Sequence, residues 1–304
     1  MLILNLDIAH INQGTLLQPA MKSWCFYLQD QRRSAYTIKA FEGDLNLLAR
    51  FLPPDRAIGK ITINDLNHFL NWVKNGRGKD ISCSPKSLSR RVTTLKSFFR
   101  WLHQNGRIQT NPAENIVQHT VISPIPIILT ENEQILALAA AHKYLEEAKP
   151  DTRPFTLLKL LLDTGIKKGE CLSIKLQHID LGKVNDPFLF VRYPDVKDRN
   201  KERKIALSRA WIKIYRTYLE QYNPIDAIFP WSPRRLEYIL EDISNEAELT
   251  KHISFSMCRW TCALNDWQQG IEPDAIRQKL GISKIQWREV KMKLIKLERE
   301  LPNS

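Results

Sequence analysis

The chain has 304 residues, enough for two domains that each bury a core. Its 45 lysine and arginine residues against 33 acidic residues give a net charge of +12 at pH 7, which favours a polyanionic partner, nucleic acid before an anionic membrane surface. No stretch approaches the roughly 18 to 20 uncharged apolar residues of a membrane span, and Asp7 interrupts the start before a signal-peptide core forms, so we expect a cytoplasmic protein with no membrane partner.

Apolar residues recur at helical spacing through the first third of the chain and predict four helices there. Ser34 is the predicted N-cap of the second helix, and Thr62 with Asp65 forms an acid-for-glutamate variant of the capping box at the start of the third. The four helices are expected near 19–30, 34–52, 63–75 and 85–105.

Residues 117–130 carry no charge and contain two prolines, which is typical of an extended linker. A second capping box, at Thr130 and Glu133, opens the next helical region. Its helices are expected near 131–148 and 152–163.

Short β-type runs follow at 187–193 and 204–207, on either side of the charged segment 195–203. Runs of this length around a polar segment predict a small hairpin with an exposed basic turn. The helical pattern then resumes to the end of the sequence. We therefore predict a mainly α-helical fold with a small β-hairpin or sheet, in the α+β class. The predicted domains are 1–116 and 131–304, joined by the linker at 117–130.

The strongest local charge bias lies in residues 81–113, which contain six basic residues and no acidic one. The apolar stripe predicted for the helix in this segment consists of Leu88, Val92, Leu95, Phe99 and Leu102. A merely solvated helix face usually mixes both signs of charge, so we favour contact with DNA phosphates. The predicted DNA-binding residues are Lys86, Arg90, Arg91, Lys96, Arg100 and Arg107.

A longer pattern begins at residues 161–181, LLDTGIKKGECLSIKLQHIDL. It resembles the first motif of tyrosine recombinases, the phage integrase and Xer family, in which T-G-L-R-x-x-E-L precedes a short helix and D-I-D. The run F-F-R-W-L to N-P-A at 98–113, the hairpin at 196–207, the segment 256–259 in place of H-x-x-R and the segment 280–283 in place of L-G-H-S follow the same family pattern in the same order. The resemblance covers nearly the whole chain.

This resemblance implies a helical SAM-like core-binding domain, a catalytic-like domain and a double-stranded DNA partner. In the family, a tyrosine hydroxyl attacks a DNA phosphodiester and forms a 3′-phosphotyrosyl link, without a metal or other cofactor. Two arginines hold the phosphate oxygens, because a guanidinium donates bidentately and stays charged. A hairpin lysine protonates the leaving oxygen, and histidines assist proton transfer.

Only some of the positions that match the family's catalytic residues hold the residue type of the family motif. Arg259 occupies the second arginine position, and Lys197 is the best candidate for the hairpin lysine, with Lys201 as the alternative if the turn aligns differently. The first arginine is replaced by a lysine, both histidines are replaced, and the nucleophile position holds a lysine. These replacements are Lys167, Ser256, Ile282 and Lys291.

No tyrosine follows Tyr238 in the sequence. Lys291 lies in a run that predicts an exposed basic helix face, which disfavours a deprotonated lysine nucleophile. The upstream tyrosines are interpreted as packing residues. They are Tyr215, Tyr218, Tyr222 and Tyr238.

The predicted phosphate-binding residues are Arg259, Lys197, Lys167 and Lys201. Arg259 has a second interpretation, as an ion-pair partner of Glu170 or Asp266. Cys258 and Cys262 are four residues apart with His252 nearby, but no second ligand pair has zinc spacing, so we predict no metal site. The odd number of cysteines, five, favours reduced thiols.

The leading hypothesis is a tyrosine-recombinase homologue that binds duplex DNA without cleaving it, in a regulatory, architectural or accessory role at the nucleoid. Its terminal helix is expected to support homo-oligomers or contact with an active recombinase. The alternatives are an active recombinase with a displaced or non-tyrosine nucleophile, and a protein-interaction module that no longer binds DNA.

Overall fold

The chain divides into two compact units, Met1–Ser123 and Pro124–Ser304. The computed structural model describes residues 6–78, 81, 83–119, 121, 123–182 and 186–300. In these ranges, no helix combines the length and apolar character needed to cross a bilayer. The division falls between residues 117 and 130, of which 120 and 122 lie outside the described residues, and the domain limits at 116 and 131 stay predictions.

The described part of the first unit is helical, and its four long helices match the predicted ones to within two residues. The Ser34 hydroxyl accepts a hydrogen bond from the Thr37 N–H, and Thr62 and Asp65 form the reciprocal capping box. Both predicted caps are therefore confirmed. The helices are α1 (Leu6–Ala9), α2 (Leu17–Asp30), α3 (Ala35–Phe51), α4 (Ile63–Lys74) and α5 (Pro85–Gln104).

The core of the first unit forms where α5 crosses α2, α3 and α4. Trp24 stacks on Phe41 with ring centroids 5.6 Å apart and meets Phe98 edge-on at 5.4 Å. Four of the five residues of the predicted α5 stripe are fully buried and Leu88 is half-buried. Phe98 and Thr94 are buried as well, so α5 buries a wider face than its apolar stripe predicts.

The second unit contains eight described α-helices and a three-stranded antiparallel sheet. The predicted capping box at Thr130 and Glu133 is present. The helix that follows ends at Lys143, five residues before the predicted end, because the chain then turns and the Asp151 N–H bonds the Tyr144 carbonyl. The helices are α6 (Glu131–Lys143), α7 (Arg153–Thr164), α8 (Lys168–Leu172), α9 (Arg209–Tyr222), α10 (Pro233–Glu246), α11 (Phe255–Gln268), α12 (Pro273–Leu280) and α13 (Lys284–Glu300).

The predicted hairpin consists of β2 (Phe188–Val191) and β3 (Arg203–Ala206), with Leu189 opposite Ile205. The two-residue strand β1 (Ile179–Asp180) adds to the free side of β2 and was not predicted. A 3-10 helix, Val196–Lys201, forms the charged connection between β2 and β3.

Helix α7 is the central helix of the second unit and packs against α6, α9, α10 and α11. Leu157, Leu158 and Leu161 on this helix are fully buried. The helix ends at Gly165, whose φ of +59° is left-handed and reverses the chain at once into the first family motif. The buried helix therefore sets the position of Lys167 and of α8.

We expect Leu161→Ala to lower the free energy of unfolding of the second unit by about 2 to 5 kcal/mol, because it leaves a cavity in a closed core. Urea denaturation measures this change. The control is Leu136→Ala on α6, whose leucine is half exposed and whose replacement is expected to change stability by less than about 0.5 kcal/mol. Equal losses from the two variants would contradict the central position of α7.

Candidate functional site

Glu170, on α8, is the buried acid around which the basic residues of the second unit gather. Its carboxylate accepts hydrogen bonds from the Arg203 guanidinium, at 2.9 and 3.1 Å, and from the Lys167 backbone N–H at 2.8 Å. The Tyr193 hydroxyl donates to the same carboxylate. These donors outweigh the cost of burial and lower the pKa of Glu170 to about 2, so the group is ionised at neutral pH.

Arg203 connects the sheet to the end of α12. Besides binding Glu170, it donates from Nε to the Lys279 carbonyl at 2.6 Å and from Nη1 to the Lys201 carbonyl at 3.1 Å. The guanidinium lies so close to Gly281 that a Cβ there would be 2.6 Å from Nη1. Gly281 has a φ of +59° and ends α12 in the left-handed conformation.

Arg259, on α11, is oriented by backbone carbonyls and not by an acid. Nη1 donates to Gly165 O at 2.5 Å and Nη2 to Leu280 O at 2.6 Å. The alternative ion pairs are not formed, because Glu170 binds Arg203 and Asp266 binds Lys279. Two of the five guanidinium N–H groups are thus committed, which leaves three that can donate to a phosphate.

Lys167 lies beside this arginine, at the family's first arginine position. Burial lowers the pKa of Lys167, and the neighbouring charges of Arg259, Arg203 and Lys201 lower it further, while Glu170 raises it. Its Nζ is 3.8 Å from Glu170 Oε1. The structure therefore brings together Lys167, Arg259 and Lys201, three of the four predicted phosphate-binding residues.

Lys197, the preferred candidate for the hairpin lysine, lies outside this cluster. Lys197 is exposed, and its Nζ binds the Asp195 carboxylate at 2.6 Å. Lys201 binds Asp198 at 2.5 Å and lies 5.8 Å from the Tyr193 ring centre. Both lysines lie on the 3-10 helix of the turn, four residues apart, and so have different side-chain directions. The charge pattern of the sequence does not contain these directions and could not distinguish the two lysines.

A cavity of about 590 Å³ opens beside Lys167 and Arg259. Ser256, at the position predicted for the family histidine, lines it, as does His252 in the loop before α11. The sequence pattern points to His252 only as a possible metal ligand, because it lies outside the segment that aligns with H-x-x-R. Lys168 at the cavity wall is paired with Glu237 at 2.8 Å.

Lys291, which the sequence predicts at the nucleophile position, lies on the surface of α13. Lys291 is exposed, as its basic run predicts, and Ile282 contributes only a half-buried apolar side chain to the core between α11, α12 and α13. The tyrosine that does reach the site is Tyr193, after β2. Burial and the adjacent Glu170 raise the pKa of Tyr193, so its hydroxyl is protonated and donates to the carboxylate.

The upstream tyrosines are packing residues in three of four cases. Tyr215 and Tyr218 are buried and Tyr222 is half-buried, whereas Tyr238 is 40% exposed with Arg234 over its ring, so its prediction as a packing residue is wrong. Tyr238 lies on the face of α10 opposite the buried Leu236 and Leu240, two residues from each, so the helical spacing itself places it at the surface.

Cys258 and Cys262 are buried in the core near α7. Burial raises the pKa of Cys258 to about 12 and that of Cys262 to about 11, which keeps both as thiols. In the part of the chain that the structure describes, no group of three or more histidine, cysteine or acidic residues is arranged to hold a metal ion.

The six predicted DNA-binding residues of α5 and its C-terminal turn do not share one solvent face. Lys86 and Arg100 are exposed as predicted. Arg90 and Arg91 instead turn towards the buried Asp44 of α3, with Arg90 Nη1 2.8 Å from the carboxylate, so an acid offsets part of their charge and their contact with DNA stays a prediction. The remaining two make single hydrogen bonds to carbonyls, Lys96 to Glu114 O and Arg107 to Ile11 O.

Two family models match this chain. The model of the phage integrase family matches residues 129–288, and the model of the phage integrase N-terminal SAM-like domain matches residues 21–106. The chain belongs to the phage integrase family. The predicted fold, a SAM-like domain followed by a tyrosine-recombinase domain with a small sheet, is confirmed.

Curated relatives of this phage integrase family member are tyrosine recombinases. The XerC recombinase of Oceanobacillus iheyensis is 28% identical over 84% of this chain and 85% of its own length, and the XerD recombinase of Listeria innocua is 23% identical over 90% and 92%. A lambda integrase dimer bound to a COC′ core site has a TM-score of 0.72 at 17% identity, covering 99% of this chain and 81% of the other. XerH in a post-cleavage complex with palindromic difH substrate has a TM-score of 0.71 at 16% identity, covering 97% and 92%.

Acid is expected to weaken this site through Glu170. The folded-state pKa of about 2 lies below the ordinary 4.5, so the stabilisation is complete above pH 4.5 and is lost as the pH falls towards 2. The difference corresponds to about 3 kcal/mol. Glu170→Gln should lack this part of the pH dependence and should be less stable than the wild type at pH 7.

Urea unfolding between pH 7 and pH 2 measures the difference between the wild type and Glu170→Gln. The control is Glu147→Gln, which replaces an exposed acid of the same unit and should give a pH profile parallel to that of the wild type. Parallel profiles for all three proteins would refute the ion-pair explanation.

Gly281→Ala is expected to displace the Arg203 guanidinium and lower stability by about 2 kcal/mol or more, because the left-handed φ and the close approach both oppose a Cβ. Gly169→Ala, on α8 in the same unit, meets nothing within 4 Å and should change stability by less than about 0.5 kcal/mol. Thermal melts of the two variants test the contact, and a Gly281→Ala variant as stable as the wild type would disprove it.

Proposed function

We propose that this chain binds duplex DNA on a tyrosine-recombinase scaffold and does not cleave it. The observation that carries the proposal is the exposed lysine, Lys291 of α13, at the position predicted for the nucleophile, in a chain that still groups Lys167 with Arg259 and Lys201. Binding needs positive charge and hydrogen-bond donors, whereas cleavage also needs an attacking hydroxyl and its proton acceptor. In this proposal the chain retains the positive charge and the hydrogen-bond donors, and it lacks the attacking hydroxyl and its proton acceptor.

The geometry of Arg259 supports phosphate binding. The carbonyls of Gly165 and Leu280 hold its guanidinium in place, so little side-chain freedom is lost when an anion binds. Lys167 adds a point charge beside it, with three N–H donors in place of a planar fork. The pair can hold a phosphodiester, but a lysine cannot reproduce the bidentate contact that a second arginine makes in a transition state.

The choice of DNA as the anion is supported by the net charge of +12 and by the DNA-bound lambda integrase and XerH neighbours. A protein of this kind acts at the nucleoid in the cytoplasm, as a regulator, an architectural factor or an inactive partner of an active recombinase. Contact with such a partner, or with a second copy, would use α13, whose Ile285 and Met292 are exposed.

Tyr193 is the one observation that favours the second candidate, an active recombinase with a displaced nucleophile. Its hydroxyl lies in the basic cluster, but it donates to Glu170 and its pKa is raised, so it is a poor nucleophile in this arrangement. We therefore rank binding above cleavage.

We expect the wild-type chain to bind duplex DNA with an affinity that falls steeply as salt increases. Lys167→Gln should reduce the slope of log K against log salt by about one, because one phosphate contact is removed. Fluorescence anisotropy on a labelled duplex gives both quantities. Lys213→Gln removes an exposed charge from α9 and serves as the matched control, with a slope close to that of the wild type.

A nicked suicide duplex separates binding from cleavage, because an active recombinase is trapped as a covalent adduct. We expect no adduct on denaturing gels. An adduct that disappears in Tyr193→Phe or Lys291→Ala would overturn the proposal in favour of the active enzyme, and a failure to bind DNA at low salt would favour the protein-interaction module.

A further inference from the structure

Lys167 lies in the wall of the cavity beside Arg259, and no described residue accepts a hydrogen bond from its amine. Its side chain is 43% exposed, and the Glu170 carboxylate oxygen near its Nζ is 3.8 Å away. The next residue of the same wall behaves differently, because Lys168 Nζ pairs with Glu237 at 2.8 Å. The Lys167 amine is therefore available to a ligand, whereas the Lys168 amine is already paired.

Glu170 cannot act as a full counter-ion for Lys167. Its carboxylate already accepts two hydrogen bonds from Arg203, and one each from the Tyr193 hydroxyl and the Lys167 backbone N–H. The other charges near the amine are the cations of Arg259, Arg203 and Lys201. Desolvation and these cations both disfavour the ammonium form and lower the pKa of Lys167, so the nucleophilic amine is more populated than in a surface lysine.

The cavity places this amine beside a group that can hold a phosphate. Arg259 keeps three N–H donors after its two hydrogen bonds to backbone carbonyls. The volume of about 590 Å³ is within the size range of ligand pockets and admits a sugar with its phosphate. A lysine amine forms Schiff bases with carbonyl compounds, so the cavity matches a ligand with an aldehyde and a phosphate on one sugar.

Abasic DNA combines these two groups. Where a base has been lost, C1′ of the deoxyribose opens to an aldehyde, and the same sugar carries backbone phosphates. A damaged nucleotide also leaves the helix at a smaller unstacking cost than an intact one, so its sugar can enter a cavity beside the duplex. A free sugar phosphate offers the same chemistry. The choice of DNA as the carrier rests on the proposed function.

We propose that the Lys167 amine captures abasic sites in duplex DNA as an imine. The nitrogen attacks C1′, a C=N bond replaces the C=O bond, and the carbonyl oxygen leaves as water with the two protons of the amine. Nothing is oxidised or reduced, and no other reactant is needed. Arg259 holds the phosphate of the same nucleotide, and Glu170 offsets the charge of the protonated imine. An intact phosphodiester is contacted by the ammonium form of the same lysine.

The test uses the full-length chain, a labelled duplex with one abasic site and sodium borohydride, which reduces an imine to a stable secondary amine. Denaturing gels measure the trapped fraction, and anisotropy measures the bound fraction of the same duplex. Two duplexes without the aldehyde serve as DNA controls, one with an intact base and one whose abasic site was reduced to the alcohol beforehand. Deoxyribose 5-phosphate as a competitor tests the free sugar phosphate.

We expect the wild type to be trapped on the abasic duplex alone. Lys167→Arg should lower the trapped fraction per bound duplex at least about tenfold, because a guanidinium stays protonated and is a poor nucleophile. The matched controls are Lys168→Arg, on the same cavity wall, and Lys213→Arg, on the exposed face of α9, and both should stay within about twofold of the wild type. Mass spectrometry of the digested wild-type adduct should find the added mass on Lys167.

The possible failures are distinguishable. Binding of the abasic duplex without trapping, or an adduct spread over surface lysines, would overturn the imine and leave the proposed function standing. Trapping that persists in a folded Lys167→Arg variant would also overturn it. A chain that binds no duplex at low salt, but is modified at Lys167 by deoxyribose 5-phosphate, would sink the proposed function and assign the amine to a free sugar phosphate. Circular dichroism checks that each variant is folded.

Discussion

The ion pair between Glu170 and Arg203 is the interaction on which the second unit's basic cluster depends. Both side chains are removed from water, where an unpaired charge would be strongly unfavourable. The pair joins α8 to β3, and the same arginine continues to the Lys279 carbonyl at the end of α12. Three separate parts of the chain are therefore joined by one ion pair, and Lys167 is held beside it because its backbone N–H bonds the Glu170 carboxylate.

The first unit uses the same physical solution at Asp44. Like-charged guanidinium groups repel one another, and a buried carboxylate offsets that repulsion while its own desolvation cost raises its pKa. The Arg90 and Thr94 bonds lower that cost. In both units one buried carboxylate lies among several cationic side chains, so the group as a whole keeps a net positive charge. At the protein surface the pairing is different, since one lysine meets one acid at Lys143 and Glu246.

The family's fold and the family's chemistry are separable in this chain. Arg259 is still oriented by backbone carbonyls that belong to the ends of α7 and α12, so its position follows from the packing of helices. The nucleophile has no such support, because it depends on the identity of one side chain on α13. A lysine at this position is compatible with the helix but supplies no hydroxyl, and the proposal of binding without cleavage rests on this difference.

Local signals in the sequence determined the helices, their caps, the hairpin and the family. Ser34, Thr62 and Thr130 cap their helices as predicted, because a capping hydrogen bond joins residues only three positions apart. The order of the family motifs is likewise a property of the sequence alone. The tertiary structure alone decided which charges meet. Arg90 binds Asp44 46 positions away and Arg203 binds Glu170 33 positions away, and helical periodicity describes a face without naming what packs against it. For the same reason Lys201, and not Lys197, lies with Lys167 and Arg259, because the backbone path sets side-chain direction in a turn and charge spacing does not encode that path.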